Sequence, residues 1–343
     1  MDERELYQFQ AVDLGNLFHG AMERFATKLR RNGFTWITVP EKDREIFIKE
    51  SVEECIIDYS NTILYSSARN EYMITRLERM MKRTVWALTK QLEKGDFIPE
   101  GYEMNYDSKR IELEEGNSMR LHGKIDRVDL CETEDEVFVK VIDYKTGSKK
   151  FDIRELYHGL QMQLVLYMNA AMEREMERHP DKKITPAALL YYQMKDPLVE
   201  EKRTETLETT ILKELCPNGV VNASPEAVLH LDREFEKKSE VIPVAKNKDG
   251  SYSKQSSILS EENLLLLTKY AGEKAKQIGS EIMNGNTEIS PYEMDNRTSC
   301  DYCPYHGICG FDEKISGYKY RKIGKENKEE ILAKMEQEVQ QWE

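Results

Sequence analysis

Residues 123–147 read GKIDRVDLCETEDEVFVKVIDYKTG. Two apolar, β-prone runs flank a turn signal at ETEDE, and each run carries charges where a buried strand should have none. Burying a carboxylate or an ammonium alone is costly, so these groups must be partners or must share a third thing. Alternate residues of a strand share a face, so Val137, Val139, Val141, Asp143 and Lys145 line one side of the second run. The aspartate and lysine continue the valine row where the strand emerges from the core. On the first run Asp126 shares its face with His122 and Lys124. If both strands lie in one sheet, Asp126 and Asp143 converge with Lys145 beside them.

Two converging carboxylates make an oxygen site suited to Mg²⁺, which usually takes one or two carboxylates, several waters and substrate phosphate oxygens. The backbone carbonyl of Tyr144 adds a further candidate oxygen. Such an ion polarises a phosphodiester and activates water, and Lys145 is placed to stabilise charge on the phosphate. These are the parts phosphodiester hydrolysis needs. The Asp-x-Lys triplet alone also fits an exposed strand end, and IDRVD also fits one edge of a solvated hairpin. The pairing of G-x-x-D with D-x-K across a hairpin-sized gap, followed by a helix, is what favours the site.

The rest of the chain is compatible with such a site. At 343 residues the prior is about two domains, or one with large insertions. Apolar residues make up 39% and charged ones 33%, the balance of a globular protein with a heavily charged surface. The opening MDERELYQF has no apolar signal core, and LQMQLVLYMNAAM is too short for a membrane span. Six cysteines in this length favour a reducing, intracellular setting. The net charge of −13 does not exclude a nucleic-acid partner, because binding depends on local patches. No G-x-x-x-x-G-K-[ST] loop appears, so this chain is not itself an ATP-driven motor.

Periodicity divides the chain into four regions. Residues 1–98 are helical: 11–32 place Leu14, Leu17, Phe18, Met22, Phe25 and Leu29 on one face with His19 beside it, and a second helical region covers 43–95. Residues 99–200 alternate as three or more antiparallel strands, then predict a long helix over 152–179 and a buried strand at PAALLYYQM. Residues 201–290 are polar and turn-rich up to about 260 and predict an irregular insertion; a helix follows, with Ser260 as N-cap and Gly285 after its end. Residues 291–343 hold a cysteine-rich loop and a charged helix. Cys300, Cys303 and Cys309 form C-x2-C-x5-C, which fits zinc with a fourth ligand such as His306, or an iron–sulfur cluster.

Taken together, GKIDRVD, VIDYKTG and YHGLQMQLVLY resemble the PD-(D/E)xK nuclease superfamily, in its RecB-like branch. The helix–meander–helix–strand order is similar to the restriction-endonuclease-like αβββαβ core of that superfamily. FQAVDLGNLFHGAMERF, GLQMQLVLY and CDYCPYHGICGFD, in that order, resemble the C-terminal nuclease domain of the AddB-type subunits of bacterial helicase–nucleases. The resemblance implies an α/β (α+β) fold with added helices and one nuclease domain overall. It implies a Mg²⁺- or Mn²⁺-dependent exodeoxyribonuclease acting on single-stranded DNA ends in double-strand break repair. An AddA-type helicase–nuclease subunit would be the partner, in the bacterial cytoplasm. By this resemblance Asp126 and Asp143 hold the metal, Lys145 is catalytic, His19 adds a metal ligand, and Gln163 and Tyr167 form the Q-x-x-x-Y motif beside the cleft. Glu103 could open the first core strand and is given no role.

The same resemblance implies a [4Fe–4S] cluster on Cys300, Cys303 and Cys309, completed by a cysteine upstream of FQAVDLGNLFH. No cysteine precedes that segment, and Cys55, Cys131 and Cys216 lie elsewhere, so the cluster is expected to lack one ligand in this chain, as in a fragment of a longer subunit. Two alternatives use the same motifs: a free-standing RecB-like exonuclease of the CRISPR-associated kind, and a non-catalytic DNA-binding module that keeps the fold.

Overall fold

The computed structural model describes residues 11–60, 67–107, 110–113, 116–200 and 205–342. Three helices open it: α1 (Ala11–Arg31), α2 (Glu41–Ser60) and α3 (Ala68–Lys94). The second helical region is therefore two helices; its junction at 61–66 lies outside the described residues. Next come β1 (Ile98–Asp107), a small hairpin of β2 (Ile111–Glu112) and β3 (Ser118–Met119), and the long pair β4 (His122–Glu132) and β5 (Glu136–Lys145). Then follow α4 (Ile153–Tyr157), α5 (Gln163–Arg178) and β6 (Lys183–Gln193). The expected single helix over 152–179 is broken at Gly159, whose φ of 76° lies where glycine is favoured.

The region expected to be irregular contains α6 (Leu207–Glu214), β7 (Asn218–Asn222), α7 (Pro225–Leu231) and β8 (Ile258–Leu259). β7 pairs antiparallel with β6, and β8 parallel with β7, so this stretch extends the central sheet. Its strands are too short, and too dependent on β6, to stand out in a polar sequence. Then come α8 (Glu261–Met283), β9 (Tyr292–Met294), β10 (Arg297–Thr298), α9 (His306–Cys309), β11 (Arg321–Lys322) and α10 (Lys328–Trp342). Ser260 caps α8 as expected, its side chain accepting from Asn263 N–H.

The central sheet runs β1-β4-β5-β6-β7-β8. β1, β4 and β5 are antiparallel neighbours, while β6 is parallel to β5 after the α5 crossover. Strand alternation sorts the core into two layers. Phe138, Ile142 and Tyr144 of β5 pack with α1, α2 and α3, while Val137, Val139 and Val141 pack with α5, α8 and α10. β5 is thus buried on both faces, and the valine row lies on the α5 side as expected.

One irregularity shapes the site. β4 and β5 pair from Glu132–Val137 as far as Arg127–Ile142 and no further, although both strands continue. Past that point β4 stays with β1 as far as the His122–Asp107 pair, and β5 stays with β6 as far as Lys145–Gln193. The two central strands part at Asp126 and Asp143, leaving a notch at the end of the valine row.

Candidate active site

Into this notch the fold brings side chains from four elements. α1 is fixed by Leu17, Phe18, Ala21 and Met22, all buried, which leaves His19 one step round, facing the notch. The His19 ring meets the Tyr144 ring edge-on, at 5.9 Å between centroids. Asp126 replaces the lost ladder: its Oδ2 accepts from the Tyr144 backbone N–H at 2.6 Å. Its Oδ1 lies 3.4 Å from His19 Nδ1, and Glu103 Oε1 lies 2.9 Å from the same nitrogen.

Glu103 has no assigned role in the sequence motifs, yet it stands at the centre of the site. β1 shifts register between Pro99 and Gly101, and pairs Tyr102–Arg127 and Met104–Ile125 then place Glu103 opposite Asp126. Its φ of 43° is rare for a residue with a Cβ and costs about 1–3 kcal/mol, a strain characteristic of functional sites. Its only signal in the sequence is its place near the start of the first strand. Conversely, His122 and Lys124 are exposed and take no part, because the regular alternation expected for β4 slips where it leaves β5.

On the α5 side Asp143 is 1% exposed. Lys145 Nζ lies 2.5 Å from its Oδ2 and donates to Gln163 Oε1 at 3.3 Å, and Gln163 Nε2 donates to Tyr167 OH at 2.8 Å. Gln163 and Tyr167, one turn apart on α5, therefore act on the lysine by aiming it. The Q-x-x-x-Y spacing is what one helical turn requires.

Burial is the largest influence on every ionisable group here. It pushes Asp126 up, to about 7, with Asp143 and Glu103 adding to the rise and His19 and the Tyr144 N–H opposing it. Burial likewise raises Asp143 against the pull of Lys145. For His19 burial acts downward, but the Glu103 hydrogen bond and the charges of Asp126, Glu103 and Asp143 together raise it. The site holds more negative charge than it neutralises.

His19, Glu103 and Asp126 place one donor atom each within 4.8 Å of one another, and among the described residues no other three His, Cys, Asp or Glu side chains do so. Asp143 Oδ1 is buried and accepts no hydrogen bond among the described residues. One imidazole, carboxylate oxygens and an orphaned buried oxygen fit a hard divalent cation such as Mg²⁺ or Mn²⁺. The cysteines behave differently. Cys300, Cys303 and Cys309 share one partly exposed loop, but their sulfurs do not converge in the way the donors of the notch do. The loop reaches the core through Asp295 on Arg154, at 3.1 Å.

A sequence model of the PD-(D/E)XK nuclease superfamily matches residues 2–310. The chain belongs to this superfamily. The αβββαβ core expected from the motifs is present, as α1, β1, β4, β5, α5 and β6. The chain is also similar to bacterial proteins named as a subunit, of the AddB type, of an ATP-dependent helicase/deoxyribonuclease. It is 41% identical to that of Lachnoclostridium phytofermentans, 34% to that of Alkaliphilus oremlandii and 35% to that of Clostridioides difficile, in each case over 98% of the chain. The chain spans 30% of the length of each of these relatives. No described helix is long and apolar enough to cross a membrane.

The proton affinities of a PD-(D/E)XK site of this kind have a measurable consequence. Asp126, Asp143 and His19 are all raised in the folded state. A raised group lends stability that is complete below its unfolded value, 3.8 for the aspartates and 6.5 for the histidine, and lost as pH rises through its folded value. With a chelator present, the Tm of the wild type relative to Asp126→Asn should therefore fall between about pH 5 and pH 8. Added Mn²⁺ competes with those protons and should raise Tm more at about pH 8 than at about pH 5.5. An increment equal at both values would contradict this picture.

Proposed function

We propose that the chain is the metal-dependent DNA nuclease domain of an AddAB-type helicase–nuclease, degrading single-stranded DNA ends as an exodeoxyribonuclease in double-strand break repair. The observation that carries the reading is the notch itself. Strands β4 and β5 part where His19, Glu103, Asp126 and the unpartnered Asp143 Oδ1 face one another, with Lys145 alongside. A complete set of motif side chains favours a catalyst over a non-catalytic binding module.

Mg²⁺ or Mn²⁺ would be held by His19, Glu103, Asp126 and Asp143, with the Tyr144 carbonyl as a further candidate, and when bound supplies Lewis-acid activation of phosphate and water. Lys145, aimed by Gln163 and Tyr167, donates to the phosphate oxygens on which charge develops. Tyr144 N–H and Asp126 keep the parted strands at a fixed spacing. Buried Phe18 and Tyr144 close the α1 side to water.

The relatives' own name, a subunit of an ATP-dependent helicase, supports an ATP-driven partner of the AddA type and a bacterial cytoplasmic location. Cys300, Cys303 and Cys309 are the donors proposed for a [4Fe–4S] cluster. Among the described residues they are not gathered and no fourth ligand joins them, so no step of the reaction runs through that cluster. The test is release of nucleotides from a 5′-labelled single-stranded oligonucleotide with Mg²⁺ and with chelator. Metal-dependent shortening is expected, and Lys145→Ala should abolish it. Equal cleavage by the Lys145→Ala chain would overturn the assignment.

A further inference from the structure

Beyond Lys145 the chain leaves β5 as an irregular segment, 146–152, whose backbone is nonetheless fixed at several points. Gln161, 3% exposed, donates from Nε2 to the Lys150 carbonyl at 2.9 Å and accepts from the Asp152 N–H at 3.2 Å. Asn218, at the start of β7, donates to the Lys149 carbonyl at 2.9 Å and accepts from the Phe151 N–H at 3.2 Å. Each amide spends its donor and its acceptor on the same short loop. Ordering side chains and backbone in this way costs conformational entropy, which a mere connection does not require.

What the loop displays is cationic. Lys149 Nζ sits 5.6 Å from the centre of the Tyr191 ring, and Lys145 Nζ sits 5.8 Å from the same ring. The two ammoniums are therefore held close to one another, and among the described residues neither Lys149 nor Lys150 forms an ion pair. Like charges brought together repel, and an anion between them relieves the repulsion. The loop forms one wall of a cleft of about 730 Å³; the hairpin of β9 and β10, with Arg297, forms the other. Arg154 braces the two walls, pairing with Asp152 at 2.6 Å and with Asp295 at 3.1 Å. That pairing neutralises two of the cleft's carboxylates and leaves Glu155 as the remaining one.

We propose that this cleft is a phosphate clamp for the strand being cut: Lys149 and Lys150 hold backbone phosphates next to the scissile one, and Gln161 and Asn218 are positioning residues that keep both lysines in place. Ammonium groups bind phosphate as point charges, without regard to base, as a nuclease with no sequence preference requires. The clamp rests on reading the notch as a phosphodiesterase.

The test is binding of a fluorescein-labelled oligo-dT 20-mer to the 343-residue chain, by anisotropy without divalent cation, across a series of NaCl concentrations. The Lys149→Gln/Lys150→Gln variant should bind about tenfold more weakly and flatten the slope of log affinity against log salt by about 1.4, from two lost contacts on a single strand. Lys149→Arg/Lys150→Arg should keep the wild-type slope, and Gln161→Leu should weaken binding with the lysines intact. Lys49→Gln, on α2, controls for loss of a distant surface charge. A slope for the double Gln variant equal to that of wild type, or no binding by wild type, overturns the proposal. Hydrolysis plays no part in this readout. A chain that binds with the expected slope but does not cut with Mg²⁺ would sink the nuclease reading and support the clamp.

Discussion

Asp143→Ala should leave the protein folded while lowering its Mg²⁺-dependent hydrolysis of single-stranded DNA by about 10³-fold or more, the scale of losing one group that stabilises charge in the transition state. Asp143 is buried, its Oδ1 has no hydrogen-bond partner among the described residues, and its raised proton affinity reports the cost of keeping it charged. Such a carboxylate is not there for stability. Removing it leaves Lys145, which reaches solvent and keeps Gln163 as an acceptor. In chelator at about pH 8 the variant should therefore melt at or above the wild-type temperature, as expected where a functional site stores destabilising charge. Single-turnover cleavage and thermal melting, on the same preparations, check both halves. Activity within about tenfold of wild type, or a large fall in Tm, would show that Asp143 does something else.

Asp129→Ala should do the reverse. Asp129 is fully buried three positions along β4, and its carboxylate is saturated: Arg127 Nε reaches Oδ1 at 2.6 Å, Arg127 Nη2 reaches Oδ2 at 2.9 Å, and Lys140 Nζ reaches Oδ2 at 2.8 Å. Arg127 also lies over the rings of Trp36 and Tyr102, at 5.0 and 6.0 Å, in the layer facing α1. Deleting the shared anion strands two buried cations, which costs about 3–5 kcal/mol in comparable cases. Urea unfolding should show that loss as a lower midpoint at unchanged m. Asp129→Asn, which keeps the shape and drops the charge, should also be destabilised. A loss under about 1 kcal/mol would mean that water reaches the cluster.

These two aspartates mark the reach of sequence reading. The α1 face, the meander, the valine row and the convergence of Asp126 with Asp143 follow from local periodicity, and all were legible. Glu103 was not, because its arrival opposite Asp126 depends on a register shift in β1 and a positive φ, which no period records. Neither was the break at Gly159, since apolar spacing runs through it, nor the burial of Gln161 that the break permits. β7 and β8 were missed because their burial comes from β6 and not from their own pattern. Arg127, Asp129 and Lys140 looked like surface charges; only the face each occupies makes them a buried cluster.

The central claim is that the parted ends of β4 and β5 hold a divalent cation. Titration of Mn²⁺ into the metal-free chain, with free ion followed by electron paramagnetic resonance, addresses it without reference to DNA or to activity. The account predicts saturable binding that weakens at least about tenfold in Glu103→Ala and in His19→Ala. It predicts that binding is lost in Asp126→Ala/Asp143→Ala. Wild-type affinity in that double variant would contradict it.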